Sequence, residues 1–82
     1  MTDYVFSKHA AEMMEERSIP EDWVWRVLNE ADHKFIGEDG NLHFTKSIVE
    51  KEERVLHVVV NSGISFNRVI TMFFDRRLRN KK

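Results

Sequence analysis

The apolar residues of this chain change their spacing once, near Asp32, from a period of about 3.6 to a period of two, and no other feature limits the fold as much. Before the change, Ser7 stands where a helix N-cap belongs, with Phe6 just ahead of it. Ala10, Met13, Met14 and Arg17 then recur at helical spacing, so a first helix is expected to run to about Arg17. In Ser18-Ile19-Pro20-Glu21, proline suits a first helical turn, and Ser18 with Glu21 has capping-box spacing, so a second helix is expected to begin there. Its apolar stripe is Trp23, Val24, Val27, Leu28 and Ala31. After Asp32, Phe35 and Ile36 lead into the turn residues Gly37-Glu38-Asp39-Gly40-Asn41. Segments 42–49, 54–60 and 68–74 then read as strands from their β-branched and aromatic content. Short connections favour an antiparallel meander. The expected fold is α+β, with two N-terminal helices packed on one face of a four-stranded antiparallel sheet.

A chain of 82 residues buries only about 60% of its unfolded surface, which leaves room for one modest core. Leu, Ile, Val and Phe supply 24 of the 82 residues, enough for a chain with 33% charged residues to fold rather than stay disordered. The expected organisation is one domain over 1–82, with a helical part at 1–32, a sheet at 33–75 and a basic tail at 76–82. Cysteine is absent, which removes disulfides, thiolate metal ligands and cysteine nucleophiles. The start Met1-Thr2-Asp3-Tyr4 has no basic segment leading into an apolar run, and Val58-Val59-Val60 is far too short to span a membrane. A cytoplasmic protein without membrane association is expected.

Charge divides along the chain. Residues 1–63 hold seven Lys/Arg against thirteen Asp/Glu, a net −6, whereas 64–82 hold six Lys/Arg against Asp75 alone, a net +5. Such a basic cluster suits phosphate, although a solvated C-terminal tail has the same composition. The period of two also sorts the strand faces. Leu42, Phe44, Ile48, Leu56, Val58 and Val60 belong beneath the helices, and His43, Thr45, Ser47 and His57 on the other face. The last strand leaves a choice between Ile70, Met72, Phe74 and Val69, Thr71, Phe73.

The opening Phe6-x-x-His9-Ala10-x-x-x-Met14-x-x-Arg17-x-Ile19, followed by Val24 and Leu28, resembles a family of small bacterial proteins carried as a domain of unknown function. The order of a short helical half, a Val-rich strand and a closing strand running into Arg76-Arg77 is also similar to BrnT-like toxins of the RelE/ParE superfamily. That resemblance implies helices on an antiparallel sheet, RNA cleavage and a cognate antitoxin. Here the net charge is −1 and Tyr4 is the sole tyrosine, whereas RelE-type toxins are strongly basic.

Cleaving RNA through its own 2′-hydroxyl needs a base, an acid and cations for the developing phosphorane, with no metal or cofactor required. His9 and His57 are the acid–base candidates, because imidazole titrates near neutrality. Arg68, Arg76, Arg77 and Arg79 are the candidate RNA contacts, Arg54 is a further candidate phosphate clamp, and Arg17, Lys46 and His43 are supporting groups. Each has a plainer reading: His9 as a structural imidazole at the start of the first helix, Arg17 in a pair with an acidic neighbour such as Glu21, and His43 and His57 as ordinary surface histidines. His43 and His57, as diagonal neighbours, are too few for a usual zinc site, and no HxxxH spacing occurs. Trp25 lies off the apolar stripe and is either a partner-binding anchor or part of a wide core face. The expected function is a toxin-like protein that binds or cleaves RNA. A non-catalytic protein-interaction module and an RNA-binding adaptor are the alternatives.

Overall fold

The computed structural model describes residues 4–62 and 67–76. Along the chain lie β1 (Tyr4–Phe6), α1 (Lys8–Glu16), α2 (Glu21–Glu30), β2 (His33–Ile36), β3 (Leu42–Ile48), a single 3-10 turn at Val49–Lys51, β4 (Arg54–Ser62) and β5 (Asn67–Phe74). The sheet order is β1-β5-β4-β3-β2. No helix among the described residues is long and apolar enough to cross a membrane.

The α+β class with two helices on a sheet is observed, but the four-stranded antiparallel sheet is corrected to five strands of mixed direction. Tyr4–Phe6 adds an edge strand that runs parallel to β5, pairing Tyr4 with Asn67 and Phe6 with Val69. Three residues are too few to display a period, so this strand left no pattern to read. The N-terminal segment expected to be helical therefore also supplies a strand. Ser7 joins the two roles: its N–H continues the pairing to the Val69 carbonyl at 2.9 Å, while its hydroxyl oxygen caps α1 by accepting from Ala10 N–H at 3.0 Å.

The link between the helices is tighter than a capping box. Ser18 adopts φ 55°, Ile19 N–H reaches the Met14 carbonyl at 2.8 Å, and Ser18 N–H reaches the Glu15 carbonyl at 3.3 Å. This is a Schellman closure with serine in the left-handed position that glycine usually fills. The closure buries Ile19 in the core, and α2 then starts after Pro20 with no side-chain cap.

Core residues match the face assignment. Ala10, Ile19, Val24, Val27, Leu28, Phe44, Ile48, Leu56, Val58, Val60, Val69 and Met72 form one buried cluster between the helices and the sheet. In β5 neither alternating set wins outright, because a bulge intervenes. Val60 pairs with Val69 and Val59 with Thr71, so Ile70 has no partner opposite and the alternation shifts by one. Val69 and Met72 consequently point to the helices, while Thr71 and Phe73 share the far face with His57.

Trp25 is a rim residue of this core rather than an exposed anchor. Its ring packs against Tyr4 and Phe6 at centroid distances of 5.9 and 5.7 Å, and its indole N–H donates to Glu21 at 3.0 Å.

Candidate functional site

Among the described residues no helix covers the second face of the sheet, yet its centre is closed to water. Val55, His57 and Val59 on β4 and Thr45 on β3 are all at most 7% exposed. Rings from four successive strands provide the cover. Phe35 pairs with His43 across β2 and β3, and His57 pairs with Phe73 across β4 and β5. Phe35 stacks on His43 at 5.1 Å, His43 meets His57 edge-on at 4.9 Å, and His57 stacks on Phe73 at 4.8 Å.

A line of hydrogen bonds runs through the same rings. Asp75, set just beyond β5 by its N–H bond to the Val55 carbonyl at 2.8 Å, places Oδ2 3.1 Å from His57 Nδ1. His57 Nε2 lies 2.7 Å from His43 Nδ1, and His43 Nε2 lies 3.2 Å from Asp39 Oδ1 in the β2–β3 turn. The Asp75 side chain is only 3% exposed and that of His57 7%, so their contact sits in a region of low polarisability where a charge-assisted bond is strong. Asp39 is exposed. The Asn41 backbone N–H, and after it the His43 contact, hold its carboxyl at about 2, below the ordinary 3.8.

A cleft opens beside this line, at the end of β5 that β1 does not reach. It measures about 520 Å³ and is lined, among the described residues, by Arg17, Arg54, Thr71, Phe73, Phe74 and Arg76. Arg17 is fixed there because its guanidinium donates to the Met72 carbonyl at 3.0 Å, an acceptor that no neighbouring strand uses. A smaller adjoining pocket of about 300 Å³ has Asp75 in its wall together with Arg54, Val55, Phe74 and Arg76. Three guanidinium groups thus meet around a concavity whose inner wall is continuous with the buried carboxylate and imidazole.

The residues singled out from sequence fall into three groups. His43 and His57 lie on the open face, and Arg17, Arg54 and Arg76 line the cleft beside it. His9, Lys46 and Arg68 do not join them: His9 is exposed on α1, across the sheet from His57, and eight residues of helix, about 12 Å, separate it from Arg17. Lys46 pairs with Leu56, hence faces the helices, and reaches Asp32 at 3.5 Å. Arg68 is exposed at the far end of β5, opposite Asn61. Arg77 and Arg79 lie outside the described residues. Reading the sequence missed Asp75, Asp39, Phe35 and Phe73. The signal was present, since Thr71, Phe73 and Asp75 alternate, and placing Thr71 on the His57 face carries the other two with it. The donors lie in a line rather than converging, and no group of three or more His, Asp or Glu suited to a metal ion occurs among the described residues.

Fold and site together define an α+β protein whose mixed sheet is covered by helices on one face and crossed by a carboxylate–imidazole line on the other. The pattern of the family described as a domain of unknown function, DUF4258, matches residues 6–74, and the chain belongs to that family. No curated protein and no solved structure matches it.

Proposed function

We propose that this chain is a toxin-like RNA-binding protein, similar in kind to the BrnT and RelE/ParE toxins, that acts on RNA in the cytoplasm and is held in check by an antitoxin. The observation that carries the reading is the arginine-lined cleft beside the buried His57–Asp75 pair. Guanidinium groups match phosphate oxygens in planar, two-pronged fashion, and three around one concavity suit the closely spaced charges of an RNA backbone. Phe73, in the wall, offers a face on which a base stacks. Transfer of a phosphodiester to its own 2′-hydroxyl then needs proton-transfer groups nearby, which the imidazoles supply. Their roles differ from a simple pairing of His9 with His57. Both nitrogens of His57 are held by buried partners, so His57 and Asp75 act as positioning residues. His43 also has both nitrogens bonded, but its outer partner, Asp39, is exposed and displaceable, so His43 is the imidazole that a ligand can reach.

Controlled expression in a bacterial host, followed by growth and total-RNA integrity, tests this. Growth arrest with cleaved RNA is expected from the native chain and is lost in a folded Arg54→Ala/Arg76→Ala variant. Normal growth with intact RNA, together with no RNA binding by the purified protein, would overturn the reading. The alternative of a protein-interaction module rests on β2. All four of its residues are exposed, its outer edge is unpaired in the sheet order, and Ile36 is 71% exposed, which suits strand addition by a partner. Toxicity that disappears on Ile36→Lys but survives the arginine double variant would favour that reading.

A further inference from the structure

We propose that His43 Nε2–H is the donor that meets an anionic phosphate oxygen of a bound ligand, and that the Asp39 carboxylate occupies that oxygen's place in the ligand-free protein. The class of ligand rests on the RNA reading above; the geometry does not.

Three contacts join Asp75, His57, His43 and Asp39, and each needs one hydrogen between its heavy atoms. Two neutral imidazoles bring two. Asp75 accepts from His57 Nδ1–H, so His57 Nε2 is left as an acceptor and takes the hydrogen of His43 Nδ1. A neutral His43 would then turn a bare lone pair towards Asp39, which is ionised at neutral pH. The third contact therefore needs a third hydrogen on the line, and whichever way the inner bonds run, the one facing Asp39 is carried by His43 Nε2. Among the described residues, the charged and titratable groups facing the pair are Asp39 from the turn, Asp75 beyond β5, His33 from β2 on the Thr45 side, and Arg54 and Arg76 on the Asp75 side.

A second observation shows that the turn is shaped to this contact. A methyl group on Gly37 would collide with His43 Nε2, come within 2.8 Å of His43 Cδ2 and lie 2.9 Å from Asp39 Oδ1. Only glycine lets the turn close on the imidazole. The two partners are unequal in freedom: the Asp39 side chain is 48% exposed and can swing into water, whereas that of His43 is 15% exposed and is held between Phe35 and His57. An incoming phosphate oxygen replaces one anionic acceptor by another and leaves the rest of the line intact.

The test is binding of a short oligouridylate by fluorescence anisotropy at fixed salt, with inorganic phosphate as a second probe read by the ring resonances of His43. Asp39→Asn removes the competing anion and is expected to tighten RNA binding about fivefold, whereas His43→Gln weakens it about tenfold. If both variants bind as the native chain does while Arg54→Ala/Arg76→Ala weakens binding, the proposal is overturned and the RNA reading stands. If RNA fails to bind at all, the RNA reading falls and phosphate decides. A His43 Nε2 shift at lower phosphate in Asp39→Asn than in the native chain supports the proposal; no shift in either overturns it.

Discussion

Strand β4 is buried on both faces by different physical means. Towards the helices, Leu56, Val58 and Val60 are sealed by a second layer of apolar side chains, and stability there follows from area removed from water and close packing. On the opposite face Val55, His57 and Val59 are sealed by side chains of their own sheet, and three of the residues buried there, Thr45, His57 and Asp75, are polar. The first face tolerates any well-fitting apolar side chain. The second requires a defined partner for every nitrogen and oxygen, and among the described residues no buried side-chain nitrogen or oxygen lacks one. One face thus supplies stability and the other a fixed arrangement of proton donors and acceptors.

Substitutions on the two faces should therefore differ in kind as well as size. Leu56→Ala, under the helices and fully buried, is expected to cost about 2–5 kcal/mol in urea unfolding, while folded molecules keep the native histidine resonances. His57→Phe keeps the ring and its stacking on Phe73 but strips Asp75 of this hydrogen bond. It should cost about 1–3 kcal/mol and displace the His43 resonances. An equal loss of stability from both, with His43 undisturbed, would erase the distinction between the faces.

The same contrast governed what could be read from the sequence. Burial against helices leaves a period, so Val24, Val27, Leu28, Phe44, Leu56 and Val58 were legible as core. The far face was legible only in part. His43 and His57 fell on it by alternation, and Thr71, Phe73 and Asp75 alternate with one another, but which set of β5 joins the histidines was hidden by the bulge at Ile70, which shifts the register against Val69 and has no signature in composition. Strand β1 was illegible because its pairing to β5 is parallel and spans more than sixty residues of sequence. The basic cluster was visible as a charge imbalance. Its meeting with Arg17 and Arg54, from the end of α1 and the start of β4, is a tertiary fact.

Smaller effects sharpen the account of the connections that hold the two faces in register. Ser18 and Glu52 both adopt φ 55°, a conformation that costs a side chain about 1 kcal/mol and glycine nothing. Ser18→Gly and Glu52→Gly should each raise the unfolding midpoint by about 0.5–1 kcal/mol equivalent, without altering RNA binding. Acid has the least effect. Glu50, paired with both guanidinium nitrogens of Arg26 at 2.7 and 2.8 Å, has its carboxyl lowered from 4.5 to about 2, as Asp39 has from 3.8. Both groups favour the folded state above their ordinary values, and that contribution is lost as the pH falls from about 4.5 towards 2. A thermal-unfolding series across that range should show a shallow decline that Glu50→Gln reduces.

The central claim, that the open face is an ordered line of proton donors and acceptors ending at His43, is tested most directly by nitrogen-15 NMR of the imidazole rings at neutral pH. The account predicts a proton on His57 Nδ1 and an acceptor-type His57 Nε2 coupled through a hydrogen bond to His43 Nδ1–H. A His57 ring carrying its proton only on Nε2, or exchanging freely between tautomers, would contradict it.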